Sequence, residues 1–359
     1  MSVASTVSSL SELLPSSELD FATRAHVARG LARAVALTLH NTAFFGFLLP
    51  GGRLRPTPAE RKELRLRLAE LFEEDWRNVE DGIYPAEMAN DFSWRKLIEG
   101  YPALVRDAPG VRRRARTNNF ADLPPGTESY PRYYQRNFHF QTDGYFGLDS
   151  AAIYELQVEF LFGGTANTMR RQVLPPLVRA LRGRDVASLK ILDIACGTGP
   201  VLRMLAGSLP GARLYGCDLS PHYIAHARTA LADILPLSLV VENAEHLPFV
   251  DGYFDAATCV YMFHELPPAV RTVVLLEAAR VLKPGGLLVF GDSIQLADDP
   301  LIRRQLEHFP VQFHEPFFRQ YLHDDLRARF NEAGFDVVEV TQHFITKVVA
   351  ARKRTVGHA

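Results

Sequence analysis

The stretch "ILDIACGTGP", Ile191–Pro200, sets aliphatic residues around a single aspartate and follows them with two glycines and a proline. An apolar run of this kind reads as a buried strand with a carboxylate near its end. Gly197 and Gly199 permit backbone conformations and a close approach that a Cβ forbids, and Pro200 suits the first turn of a helix. Strand, tight turn and helix in this order open a βαβ unit whose turn is shaped to receive a ligand. A dinucleotide fingerprint needs glycine or alanine three residues after Gly199, where Leu202 stands, so the pyrophosphate reading weakens. Asp193 turns it further, because a carboxylate aimed into the turn repels phosphate and balances the amino group of an amino-acid-like ligand. In "YGCDLSP", Asp218 falls at the end of the next strand, where two oxygens accept bonds from both hydroxyls of a ribose. Singly, each aspartate is equally a cap of a helix or turn. Together they call for a nucleoside carrying an amino acid.

Outward from this turn, apolar runs alternate with helical stretches. Strands are predicted at Leu189–Ile194, Arg213–Cys217, Ser238–Val241, Phe254–Tyr261 and Leu287–Asp292, with helices from about Val201, Pro221 and Pro268. A helix near Asp324–Ala333 then precedes two strands, "FDVVEV" and "FITKVVA". Before residue 188 the pattern is mostly helical, with one apolar stripe in "ERKELRLRLAELFEEDW". "RTNNFADLPPGTESYP" reads as a loop, and "VRRRART" as a solvated face or helix end.

These segments resemble, in consistent order from Leu189 to the C-terminus, the class I S-adenosylmethionine-dependent methyltransferases. "LDIACGTG" is similar to their first motif, "YGCDLSP" to their ribose-binding turn, "ENAEHLPFVDGYFDAATCVYMFHEL" to the adenine-binding and substrate-facing segments, and "AARVLKPGGLLVFGDS" to the helix and fifth strand. Among subgroups the resemblance is greatest to the ubiquinone and menaquinone biosynthesis methyltransferases. It implies a Rossmann-like α/β fold: a seven-stranded, mostly parallel sheet with flanking helices. Residues 1–150 are expected to form a helical cap and residues 151–359 the methyltransferase domain.

The resemblance implies S-adenosylmethionine bound along Asp193, Ala195, Cys196, Gly197, Gly199, Asp218, Leu219, Asn243, Ala244 and Tyr261. Ala195 stands where the family often has glycine, a mild change if the residue only packs. Asn243 stands where aspartate is common at the adenine amino group, and its side-chain oxygen still accepts that bond. The implied reaction is methyl transfer to a carbon or oxygen of a small hydrophobic or aromatic molecule. The alternatives are a non-methylating reaction on the same fold and, further off, a nucleic-acid methyltransferase. The fourth strand ends in "YMFHEL" and not in the Asp/Asn-Pro-Pro-aromatic turn of amino-group nucleic-acid methylases.

His264 and Glu265, just past the fourth strand, are the candidates for chemistry; His264 is read either as a neutral base for a substrate hydroxyl or as a structural histidine. The aromatic run "YPRYYQRNFHFQTDGYF" offers Tyr133, Tyr134 and Phe138 as substrate walls, joined by Tyr154 and His264. The cap is expected to determine the acceptor and to contribute little to holding the cofactor. Residues Leu296–Leu322 are expected to form an apolar lid.

The balance of 40 Lys+Arg against 41 Asp+Glu gives no general attraction to nucleic acid or acidic membranes. Cys196, Cys217 and Cys259 lack metal or disulfide spacing and read as buried small side chains, so no metal is expected. The serine-rich N-terminus lacks the pattern of a secretory signal, which fits a cytoplasmic protein. The uncharged run "AVALTLHNTAFFGFLLPGG" reads as a buried helix and not a membrane span, because His40, Asn41 and Thr42 interrupt it. The partner expected is a small-molecule acceptor, with a homodimer open.

Overall fold

The computed structural model describes residues 19–48 and 54–355. The serine-rich start and the end of the uncharged run lie outside the described residues. Seven strands, β1 Lys190–Ile194, β2 Arg213–Asp218, β3 Leu237–Val241, β4 Phe254–Val260, β5 Leu282–Ser293, β6 Phe335–His343 and β7 Thr346–Lys353, form one sheet in the order β3-β2-β1-β4-β5-β7-β6. The first five pair in parallel, while β7 runs antiparallel to both β5 and β6. Ile191, Leu192 and Ile194 of β1 are buried, as a strand covered on both faces requires. One apolar cluster gathers Leu202, Leu205 and Ile224; a second gathers Val274, Leu275 and Phe330. The strand order reverses between β1 and β4, and a crevice therefore opens at their carboxyl ends.

The glycine turn leads into the helix Pro200–Ser208. Gly199 has φ 90°, and a Cβ there would lie 2.5 Å from Leu231 Cδ1. Gly199→Ala is therefore expected to cost about 2 kcal/mol or more through the left-handed backbone and overpacking, measured by urea unfolding; an unchanged midpoint would show that Leu231 moves aside freely. Gly197 also has positive φ, with only Tyr223 within 4 Å of its missing Cβ.

In the cap, helix Pro58–Glu80 starts at a capping box in which Thr57 accepts from the Glu60 amide and the Glu60 carboxylate accepts from the Thr57 amide. Helix Phe21–Leu48 buries Leu31, Ala34 and Leu37. The polar residues within its apolar run act as cross-links: His40 meets Tyr101 Oη at 2.9 Å, and the Asn41 amide donates to the Phe160 carbonyl. Among the described residues, no helix is long and apolar enough to cross a membrane. The basic run ends helix Trp94–Thr117, where Arg114 is buried and donates to the Phe140 carbonyl at 2.8 Å.

Cap and sheet domain are joined by a buried ion cluster. Asp75 accepts two bonds of 2.8 Å from Arg171, one of 2.8 Å from Tyr84 Oη, and contacts His26 Nε2 at 3.0 Å. Helix Leu148–Leu161 runs straight across position 150 and packs on both the cap helix Trp94–Thr117 and the sheet-flanking helix Pro221–Ala230. The expected lid holds two helices, Arg303–Gln312 and Phe318–Leu322.

Candidate active site

A cavity of ≈ 140 Å³ opens at the carboxyl ends of β1, β2 and β4. Asp193, Ala195, Cys196, Gly197, Asp218, Leu219, Asn243, Ala244 and Tyr261 line it, as do Tyr133, Tyr134, Phe138, Tyr154 and Glu265. Gly199 and His264 are not in its wall. Gly199 packs on Leu231, and His264 faces a neighbouring, mainly apolar cavity of ≈ 250 Å³. That second cavity is walled by Leu64 and Leu161 and, from the lid, by Ile302, Leu306, Phe309 and Phe318. Tyr154, Arg170, Tyr261 and Glu265 line both spaces.

The glycine turn and the end of β2 hold each other. Asp218 Oδ2 accepts from the Gly197 amide at 2.9 Å and Oδ1 from the Ser220 amide at 2.8 Å. Each oxygen keeps a lone pair for another donor. Burial pushes the Asp218 carboxyl up to about 6 and that of Asp193 up to about 7, although Asp193 accepts from Thr258 Oγ1 at 2.7 Å. Ala195 and Tyr261 close β1 and β4 with φ 58° and 56°, conformations that cost a residue with a side chain. Ala195 thus does more than pack, since its backbone is the one glycine would hold without that cost. Asn243 closes a turn in which Oδ1 accepts from the Glu245 amide and Nδ2 donates to Glu245 Oε1, each at 3.0 Å.

The cap reaches into this crevice. Tyr133 Oη donates to Glu245 at 2.7 Å, Tyr145 Oη donates to Glu265 at 2.6 Å, and Ser220 Oγ donates to the Tyr145 carbonyl at 2.6 Å. Tyr134 stacks on Tyr145 at 5.6 Å between ring centroids. The tyrosines offered as substrate walls therefore share a cavity wall with Asp193 and Asp218.

His264 was read as either a neutral base or a structural histidine, and its surroundings oppose the first. Burial lowers its pKa, but Asp292, with Oδ1 at 2.5 Å from Nδ1, more than offsets this and lifts it to about 9. The imidazole is cationic at neutral pH and donates to Asp292. Sequence reasoning also missed Glu155, Arg170, Tyr223 and Glu242 in the first cavity wall. Glu242 had a local signal, since it follows directly on β3; Glu155 and Arg170 had none, because only folding brings their ion pair beside Thr198.

Residues 191–286 match the methyltransferase domain family. The chain is 31% identical over 175 residues to the malonyl-[acyl-carrier protein] O-methyltransferase of Geobacter sulfurreducens, an alignment covering 48% of this chain and 65% of that protein. It is 33% identical over 150 residues to an uncharacterized methyltransferase of Synechocystis sp., covering 42% and 68%. To the demethylmenaquinone methyltransferase of Thermus thermophilus it is 41% identical over 106 residues, covering 29% and 47%. The chain thus spans from about half to about two thirds of these relatives' length. It belongs to the class I S-adenosylmethionine-dependent methyltransferases.

The site's chemistry fits that cofactor. Asp193, Asp218, Glu155, Glu242 and Glu265 face the cavity against the single cation Arg170, a set that suits a ligand with an ammonium, a sulfonium and ribose hydroxyls and opposes a pyrophosphate. Binding should favour the ionised forms of Asp193 and Asp218. Their raised pKa values mean that the ligand-free fold loses stability as pH climbs from their unfolded range near 4 through about 6 to 7. The rise in melting temperature caused by S-adenosylmethionine is accordingly expected to grow between pH 5 and 8 and then level. A rise that is constant or shrinks over that interval, measured by scanning fluorimetry, would exclude both carboxylates as ligands.

Proposed function

We propose that the protein transfers a methyl group from S-adenosylmethionine to a carbon or oxygen of a small, largely apolar acceptor held in the ≈ 250 Å³ cavity. The observation that carries this reading is the common wall, in which Tyr154, Arg170, Tyr261 and Glu265 border both that space and the cofactor cavity. The relative named for demethylmenaquinone methylation supports a small-molecule acceptor, and the cavity supports one with an aliphatic or flat ring body.

The bound cofactor supplies an electrophilic methyl group on a positively charged leaving group. The chain's residues align the partners and exclude water: Leu306, Phe309 and Phe318 cover the acceptor, while Tyr261, held by Thr346 at 2.7 Å, fixes the boundary between the two spaces. Glu265, oriented by Tyr145, presents a carboxylate at that boundary. Cationic His264, anchored by Asp292, presents a donor for an acceptor oxygen.

The test is incubation with labelled cofactor and a panel of prenyl quinones, phenols and fatty acids, reading acceptor-dependent release of S-adenosylhomocysteine. Conversion of an acceptor without that product would instead assign a reaction that uses the sulfonium only as a charge. Leu306→Trp, which fills the second cavity, is expected to lower turnover by at least about tenfold while cofactor affinity stays within about twofold. Equal loss of both would place the acceptor elsewhere.

A further inference from the structure

His139, Glu265 and Glu315 come from three separate segments: the turn Phe138–Phe140, the turn after β4, and the lid. One nitrogen or oxygen from each lies within 4.8 Å of those of the other two. His139 Nδ1 is 3.1 Å from Glu315 Oε1, and His139 Nε2 is 3.8 Å from Glu265 Oε1. Ligand atoms about 2.1 Å from a common ion stand roughly 3.0–3.4 Å apart, so closing on one requires the His139 ring or a carboxylate to swing inward by roughly 1 Å or more, until a single ring nitrogen faces both carboxylates.

Glu315 supplies a second, independent sign. It is 1% exposed, the His139 ring is its ion-pair partner while the His264 charge also acts on it, and among the described residues neither of its oxygens accepts a hydrogen bond. A carboxylate buried in that condition is costly, and its free lone pairs point to a further electrophilic partner. His139 and Phe140 hold φ 54° and 57°, so the turn that presents the imidazole is kept against its backbone preference. Tyr145 Oη donates to both Glu265 oxygens, at 2.6 and 2.8 Å, the kind of outer bond that orients a metal-binding carboxylate. One imidazole with two carboxylates suits a divalent first-row transition ion. All three residues line the ≈ 250 Å³ cavity, so the side they leave open faces the acceptor space.

We propose that His139, Glu265 and Glu315 bind a divalent transition-metal ion of the Mn²⁺ or Zn²⁺ type, and that its open position takes an oxygen of the acceptor. The second half of this statement rests on the methyl-transfer reading above; the metal site does not. Three protein ligands with one side open is the arrangement of a substrate-polarising ion, which would draw electron density from a bound carbonyl or stabilise a bound phenolate.

The test uses the full chain, stripped with a chelator and titrated with MnCl₂, free Mn²⁺ being read by electron paramagnetic resonance; CoCl₂, read by its visible absorption, is the second probe. Saturable binding of one ion per chain is expected, weakened at least about 100-fold in His139→Ala and in Glu315→Gln. S-adenosylmethionine affinity, measured by calorimetry, reports that each variant is folded and should be retained, since neither side chain lines the cofactor cavity. Absence of stoichiometric binding by the wild type overturns the proposal without recourse to any variant and reduces the cluster to an ion pair. Binding that is equally tight in folded Glu315→Gln overturns it as well. One bound ion with no acceptor methylated supports the metal site and counts against the transfer reading alone.

Discussion

Replacing Asp218 by alanine is expected to weaken S-adenosylmethionine binding by roughly 100-fold or more while leaving the protein folded. The two oxygens stand at the end of β2, tied to Gly197 and Ser220, with lone pairs left for the ribose hydroxyls. Hydrogen bonds to a charged acceptor are worth about 1.5–3 kcal/mol each, and two of them account for the expected loss. Stability without ligand should change little at neutral pH. The substitution leaves two backbone donors without a partner, but it also removes a charge whose burial raises its pKa to about 6. Calorimetric titration and thermal melts measure the two quantities separately. A folded variant with native affinity would move the ribose away from β2 and break the site assignment.

The largest effect on stability is expected at Asp75. Burial acts to raise its pKa, yet Arg171 and His26 more than offset this and hold the carboxyl below the ordinary range. Asp75→Ala would leave the Arg171 guanidinium, 1% exposed, with Asp91 at 3.3 Å as its remaining carboxylate and Thr168 Oγ1 at 3.2 Å, and breaking a buried pair in this way costs about 3–5 kcal/mol. Urea unfolding should show that loss, and the double replacement Asp75→Leu with Arg171→Leu should recover much of it, because removing both charges also removes their desolvation cost. A single variant as stable as the wild type would mean that the cluster neither clamps the cap to the sheet nor carries an intact charge.

What the sequence shows and what it hides follow from distance along the chain. The strand Lys190–Ile194, the glycine turn and the helix at Pro200 are local, and the hydrophobic pattern with two glycines and a proline suffices to read them. Asp193 and Asp218 sit at strand ends whose order the βαβ rhythm dictates. The strand after Phe344 begins two residues later than its apolar pattern suggests, because Phe344, with φ 58°, lies in the turn between β6 and β7. Glu315 and His139 were silent, since nothing near either residue reveals that a lid and a cap loop close on one another. His264 was named from its place after the fourth strand, but its charge state was hidden, because that depends on Asp292 on the neighbouring strand β5. The aromatic run announced a wall without saying of which room: only the fold shows Tyr133, Tyr134 and Tyr145 lining one cavity with Asp193, Gly197 and Asp218.

Tyr154, Arg170, Tyr261 and Glu265 border both cavities, and this bears on how acceptor scope is to be re-engineered. Diversifying these four residues would alter both spaces at once, so most library members would be lost before any new preference became visible, whereas Tyr133, Tyr134, Phe138 and Tyr145 border only the first of the two. Ile302, Leu306 and Phe309 border only the apolar side, and variation confined to them can be screened under constant cofactor loading. The recognisable stretch 191–286 is accordingly a poor transplant: grafted alone, it would carry the glycine turn but leave behind Tyr133, Tyr134, Phe138 and Tyr154, which complete the room around it.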